Sequence, residues 1–186
     1  MKHAKRPAIA QLKRYTMTAF HRSGRRHLLL TGSRGRGKTT LLEAMLQSRN
    51  IPGVRSFAVR KDRLTPPEKI VLEDRLTGEQ AVIGRFEDGK MVPQTDALES
   101  LGVQMLRRAA SSRSDWVVVD EIGFLENSSP AYREALRELF VQKRVLAVLR
   151  KAETPFLNEI RANRNSFLFD LDDVRSIIIF QKKMSK

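Results

Sequence analysis

Apolar residues follow two rhythms along this chain. Dense runs at residues 27–31 (HLLLT), 116–120 (WVVVD) and 144–149 (RVLAVL) do not alternate with polar positions and are too short for buried helices. They predict strands covered on both sides, as in a parallel sheet. Between them, apolar positions recur every three or four residues. Leu41, Leu42, Ala44, Met45 and Leu46 predict a helix over 38–48; Leu98, Leu101, Met105 and Leu106 predict one over 96–111; Leu136, Leu139 and Phe140 predict a third opening at 130. Start signals agree with these periods. Asp96 and Glu99 have capping-box spacing, Ser129 precedes Pro130, and Thr154 precedes Pro155 to open a short helix to about residue 162.

Residues 50–53 (NIPG) mark a turn before a strand predicted at 56–61, and residues 64–67 (LTPP) read as an exposed loop. The rhythm then changes to β-rich pieces at 70–74, 81–86 and 90–92, separated by Thr77-Gly78 and Asp88-Gly89, which predicts hairpins. A last strand is expected at 166–171. The stretch from Val174 to Phe180 suits a helix capped by Asp172, with a strand through Ile177, Ile178 and Ile179 as the alternative. Strands alternating with helices give the fold class: α/β, a mainly parallel sheet with helices on both faces and an antiparallel hairpin insertion.

Composition narrows the picture. A chain of 186 residues with 41% hydrophobic content suits one domain with one substantial core. Cysteine is absent, which fits a reducing compartment such as the cytoplasm, and no apolar run approaches the length needed to cross a bilayer, so no transmembrane segment is expected. Thirty-five Lys and Arg against 21 Asp and Glu leave a net charge of +14. Lys2, Lys5, Arg6, Lys13, Arg14, Arg22, Arg25 and Arg26 occur before the first acidic residue. The chain therefore divides into a basic N-terminal arm, 1–26, and a catalytic-type domain, 27–186. Ile9, Leu12, Tyr15 or Thr16, and Phe20 give the arm a short amphipathic helix ending at Ser23-Gly24, ahead of the core and not needed to complete it. A solvated arm, a grip on nucleic acid or another anionic surface, and an organellar transit peptide are all compatible with this charge.

The chemistry is densest at residues 28–42 (LLLTGSRGRGKTTLL), where Gly32, Gly35, Gly37, Lys38 and Thr39 meet the pattern G-x-x-x-x-G-K-[ST]. Glycines allow a tight turn whose successive N–H groups point at an anion, and the helix starting near Lys38 adds its positive dipole end. Ser33, Arg34, Arg36 and Thr40 complete the loop. Lys38 is placed to reach β- and γ-phosphates and the Thr39 hydroxyl to ligate Mg2+, so ATP, GTP or another nucleoside triphosphate is the expected ligand.

About 80 residues on, Asp120 ends an apolar strand, the place for a carboxylate that orders the metal ion and its waters. Glu121 follows at the edge where a γ-phosphate would lie, and a carboxylate there can orient an attacking water. Thr39 and Asp120 are the metal candidates; Glu121, Lys38 and Arg150 are the catalytic candidates. Arg150, at the end of the 144–149 run, and Arg34 and Arg36 in the loop are the residues able to neutralise developing charge, or else solvated surface arginines. A small-molecule kinase and a nucleotide-dependent nucleic-acid-binding protein remain alternatives to hydrolysis. His3, His21 and His27 lack metal-ligand spacing.

These residues together resemble the small nucleoside-triphosphatase family of the THEP type, which includes the human cancer-related nucleoside-triphosphatase. The likeness rests on TGSRGRGKTTL at 31–41, VVVDEIGFLE at 117–126, VLAVLRK at 145–151 and PFLNEIR at 155–161, and covers about 26–175. It implies a RecA-like P-loop fold, slow magnesium-dependent hydrolysis of several nucleoside triphosphates, and a nucleotide site that joins residues 32–39 to Val117, Val118, Val119, Asp120, Glu121, Ile122 and Gly123. The chain departs from that family in three places: the basic arm lies outside the usual body, Arg150 stands where histidine is frequent, and DDVR at 172–175 replaces an expected Asn-Arg pair.

Overall fold

The computed structural model describes residues 9–62 and 64–173. One eight-stranded sheet organises them, in the order β5-β4-β3-β2-β6-β7-β1-β8. Strands β2 (Gly53–Val59), β6 (Trp116–Ile122), β7 (Arg144–Leu149), β1 (His27–Thr31) and β8 (Ser166–Asp170) are mutually parallel. On the outer side of β2, β3 (Lys69–Asp74), β4 (Gln80–Glu87) and β5 (Lys90–Pro93) continue the sheet as antiparallel hairpins. Both the parallel core and the hairpin insertion are therefore as the residue pattern predicts.

The unbroken apolar runs have a direct structural cause. Leu29, Val117, Val119, Val145, Ala147 and Leu149 enter the core on one face, whereas Leu28, Leu30, Val118, Leu146 and Val148 enter the core on the other. Helices α4 (Val103–Ala110), α5 (Pro130–Gln142) and α6 (Pro155–Arg161) cover the first face. Helices α1 (Ile9–Ser23) and α2 (Lys38–Leu46) cover the second.

Helix α1 is more than the arm envisaged from residues 1–26. Its nine-residue neighbour α2 leaves part of the second face bare, and α1 closes it. Phe20 is 1% exposed and Thr16 is buried, while Leu12, Tyr15 and Met17 pack against the same core. The Phe20 ring lies 5.9 Å from Trp116 and 6.3 Å from Phe167, and Tyr15 lies 6.2 Å from Phe169. The helical spacing of these side chains was legible; what they rest on was not.

Local differences have local reasons. Strand β2 starts at Gly53, three residues earlier than its apolar content implies, because Gly53 passes against β6: a Cβ there would stand 1.9 Å from the Val118 carbonyl oxygen. The Asp96–Glu99 capping box does not form. The chain enters α3 (Thr95–Ala97) from Gln94 without a side-chain cap and runs through a wide π-type turn at Leu98–Gly102 into α4. Glu99 instead accepts the Ala131 N–H at 3.4 Å, steadying the start of α5. Thr154 caps as expected, its hydroxyl oxygen accepting the Leu157 N–H at 3.2 Å. The alternatives drawn for 174–180 lie outside the described residues.

Candidate functional site

Parallel strands bring their carboxyl ends to one edge of a sheet, and here β1, β6, β7 and β8 each deliver polar residues there. Strand β7 lies between β1, which leads into the Gly-rich loop, and β6, which carries Asp120. Gly37, with φ 90°, precedes the first residue of α2, so the loop closes on the helix N-terminus. Such a backbone at φ > 0 is open to glycine at little cost and directs N–H groups into the concavity. Lys38 opens α2, and its Nζ donates to the Gly32 and Ser33 carbonyls at 2.8 and 3.1 Å, spanning the loop.

The Thr39 hydroxyl donates to Asp120 Oδ1 at 3.4 Å. Two residues 81 positions apart thus meet at the base of a cleft of about 680 Å³. Burial, and then the neighbouring Glu121, push the Asp120 pKa up to about 6, with the Thr39 hydrogen bond opposing them. Beside it, the Glu121 backbone N–H donates to Ser56 Oγ at 3.2 Å, and its carboxylate receives Arg150 Nη1 at 3.5 Å. The Arg150 guanidinium lies over the Phe124 ring, 4.9 Å from its centre. This stacking holds a cation against a carboxylate at the cleft wall.

Most sequence-predicted residues converge. Gly32, Ser33, Arg34, Gly35, Gly37, Lys38, Thr39, Thr40, Asp120, Glu121, Gly123 and Arg150 all line the same cleft. Val117, Val118, Val119 and Ile122 do not line it; they are buried in the sheet and carry Asp120 and Glu121 to the edge. Arg36 turns away from the cleft to Asp172.

Three acids were not placed in the site from sequence. Glu126 is 3% exposed, and its Oε2 accepts the Gly123 N–H at 2.9 Å. Burial pushes its pKa up to about 7, against the stabilising backbone N–H groups. Asp172, just past β8, accepts from Ser33 N–H at 2.6 Å and from Ser33 Oγ at 2.5 Å, and its other oxygen accepts from Arg36 Nε at 2.7 Å. Lys151 bridges Asp172 and Asp170 at 3.2 and 2.9 Å. The Ser33 hydroxyl, backed by Lys151 and Arg36, holds the Asp172 carboxyl well below the usual carboxylate range. Its position after a parallel strand was the available sequence signal; its partner, 139 residues away, was not visible.

A Gly-rich loop joining a buried strand to a helix N-terminus, with an acid-tipped strand two places away, defines a RecA-like P-loop protein of the nucleoside-triphosphate-binding class. Residues 27–181 match the model of the NTPase family, NTPase_1. The chain belongs to this family, that of the THEP-type nucleoside-triphosphatases.

Among its relatives, nucleoside-triphosphatase THEP1 of Thermotoga sp. (strain RQ2) is 30% identical over 154 residues, spanning 78% of this chain and 86% of the relative. The cancer-related nucleoside-triphosphatase homolog of Mus musculus is 28% identical over 182 residues, spanning 78% and 94%. The crystal structure of THEP1 from the hyperthermophile Aquifex aeolicus superposes with a TM-score of 0.63 at 22% identity, covering 86% of this chain and 97% of that one. The solution structure of a human cancer-related nucleoside triphosphatase gives 0.60 at 23% identity, covering 86% and 96%. At these identities the two structures speak for the fold. Among the described residues, no helix is long and apolar enough to cross a membrane.

Proposed function

We propose that this chain hydrolyses nucleoside triphosphates to the diphosphate and phosphate, in the cytoplasm, with Mg2+ as cofactor and broad tolerance of the base. The observation that carries the reading is Glu121: a carboxylate beside the Thr39–Asp120 pair, held by Arg150, in the cleft walled by the phosphate loop. The names of its relatives support hydrolysis.

The donor set fits magnesium. Thr39 and Asp120 offer hard oxygen atoms, one hydroxyl and one carboxylate, which suits an ion that keeps several waters and takes the rest of its shell from phosphates. The raised Asp120 pKa reflects a buried carboxylate short of positive charge. When bound there, Mg2+ would neutralise charge on the β- and γ-phosphate oxygens.

The remaining roles belong to the chain. Loop N–H groups and Lys38 hold phosphates, Glu121 orients a water and takes up its proton, and Arg150 supplies positive charge where charge builds on the leaving phosphoryl group. Each of these contacts reads the triphosphate, the part common to all nucleotides, which supports broad base tolerance.

Phosphate release from ATP, GTP, CTP and UTP, with magnesium and no acceptor, tests the proposal. Native protein should turn over several of them, and Glu121→Gln should lose on the order of 100-fold or more in kcat while still binding nucleotide. A native protein that binds nucleotide without releasing phosphate would overturn it.

A transferase reading has one observation in its favour. The cleft continues past Glu121 along Phe57, Ile70, Met91 and Phe124, leaving space beside the γ-phosphate position for a small acceptor. Turnover that depends on an added acceptor would select that reading.

A further inference from the structure

The cleft uses only one edge of the parallel sheet. The opposite edge is fed by connections that each bring an exposed arginine: Arg25 and Arg26 before β1, Arg49 before β2, Arg113 before β6, Arg144 at the first residue of β7, and Arg164 before β8. Sheet order sets them in a row: Arg49, Arg113, Arg144, then Arg25 and Arg26, then Arg164. Four strand spacings make that row roughly 19 Å long. Hydrogen bonds tie neighbouring connections together. Arg26 N–H donates to the Asn165 carbonyl and Arg144 N–H to the Asp115 carbonyl, both at 2.9 Å, and the Arg25 guanidinium donates to the Arg164 carbonyl.

None of these six arginines forms an ion pair among the described residues, although eight other cationic side chains do. The acid carried by these connections is Asp115; Glu159 nearby is taken by Arg137. Beyond Arg49 the row stops at the β3–β4 turn, where Arg108 neutralises Asp74 and Glu79. His27, buried at this edge, has its pKa lowered to about 4 by burial and then by Arg26 and Arg144, in keeping with a positive local field.

We propose that this edge is a nucleic-acid-binding ridge that grips the phosphate backbone of a duplex without reading its sequence. Arginine forks match phosphate oxygens, and the geometry separates the ridge from the triphosphate site, so both can be filled at once. A bilayer fits less well. The apolar side of α1 is already packed in the core, and Val141, in the hollow beside Arg26, is a small wedge. Base stacking fits less well too, because Arg144 already covers the Trp116 ring at 4.4 Å.

The test is fluorescence anisotropy of labelled DNA and RNA duplexes of about 20 base pairs with the full chain, between 50 and 200 mM KCl. With Arg25 turned to the Arg164 carbonyl, the other five arginines predict a log–log salt slope near −4.5, so binding to at least one duplex should weaken about 500-fold across that range. Replacing Arg26, Arg113, Arg144 and Arg164 together with Gln should bring the slope near −1, with phosphate release from ATP unchanged. Should that variant fail to fold, the Arg113→Gln, Arg164→Gln double variant should reduce the slope by about 2. The proposal is overturned if neither duplex binds at 50 mM, or if a folded variant keeps the native slope. Competition by a non-hydrolysable triphosphate, or binding to phosphatidylglycerol vesicles in preference to duplexes, would overturn it as well.

Discussion

Glu126→Gln should make this protein more stable, by an amount that grows from about pH 5 and levels off just above neutral. Glu126 is buried, accepts one hydrogen bond from Gly123, and has its pKa raised from 4.5 to about 7. Between those two values the folded state holds a proton that the unfolded chain has released. Its contribution is therefore greatest at the acid end of the window and is lost as pH rises through 7. A difference of two to three pKa units corresponds to about 3 kcal/mol. Glutamine never ionises and keeps an oxygen for the Gly123 N–H, so it escapes that loss.

The assay is urea unfolding of nucleotide-free native and variant proteins from pH 5 to 8. Their stability difference should widen by about 3 kcal/mol in favour of Gln, a midpoint shift of roughly 1.5 M in urea at an m-value of about 2 kcal/mol/M. Asp120, raised to about 6, slopes the same way but is present in both proteins and cancels. A difference that stays flat across the range would refute the reasoning, for Glu126 would then be no more protonated when folded than when unfolded.

Three further outcomes are expected. Phe20→Ala should cost about 3–5 kcal/mol in urea unfolding, since the ring is buried against Trp116 and Phe167; an unchanged midpoint would mean α1 is dispensable. Gly53→Ala should abolish soluble folded protein, judged by circular dichroism, because its Cβ would strike the Val118 carbonyl; a native-like melt would refute that close approach. Asp172→Asn should loosen the phosphate loop and raise KM for ATP by on the order of tenfold with kcat little changed, and unaltered kinetics would remove Asp172 from the loop's support.

What could be read from the sequence was what local chemistry determines. Strands β1 and β7 match their apolar runs residue for residue, because a strand buried on both faces tolerates few polar positions and its ends are sharp. The phosphate loop, Asp120, Glu121 and Arg150 were legible because each sits at the end of such a strand. Legibility failed where a partner lies far away in sequence. Leu12, Tyr15 and Phe20 form a visible stripe, but the core beneath it includes Trp116, Phe167 and Phe169. Asp172 reads as an ordinary acid until the fold sets it against Ser33. Asp96 and Glu99 show the opposite failure: a good local signal lost because the helix entrance is set by the chain leaving β5.

The packing of α1 also fixes an order of events during synthesis. This helix leaves the ribosome before the sheet it covers, and Phe167 and Phe169, against which it rests, are made about 150 residues later. Closing so long a loop is slow, and the rest of the sheet can form meanwhile. Until β8 is laid beside β1, Leu12, Tyr15 and Phe20 have no complete surface to meet, and a chain stopped before residue 166 would carry a sticky, strongly basic helix. Helix α1 can rest on α2 and Trp116 earlier, but its seat is complete only once Phe167 and Phe169 have been added.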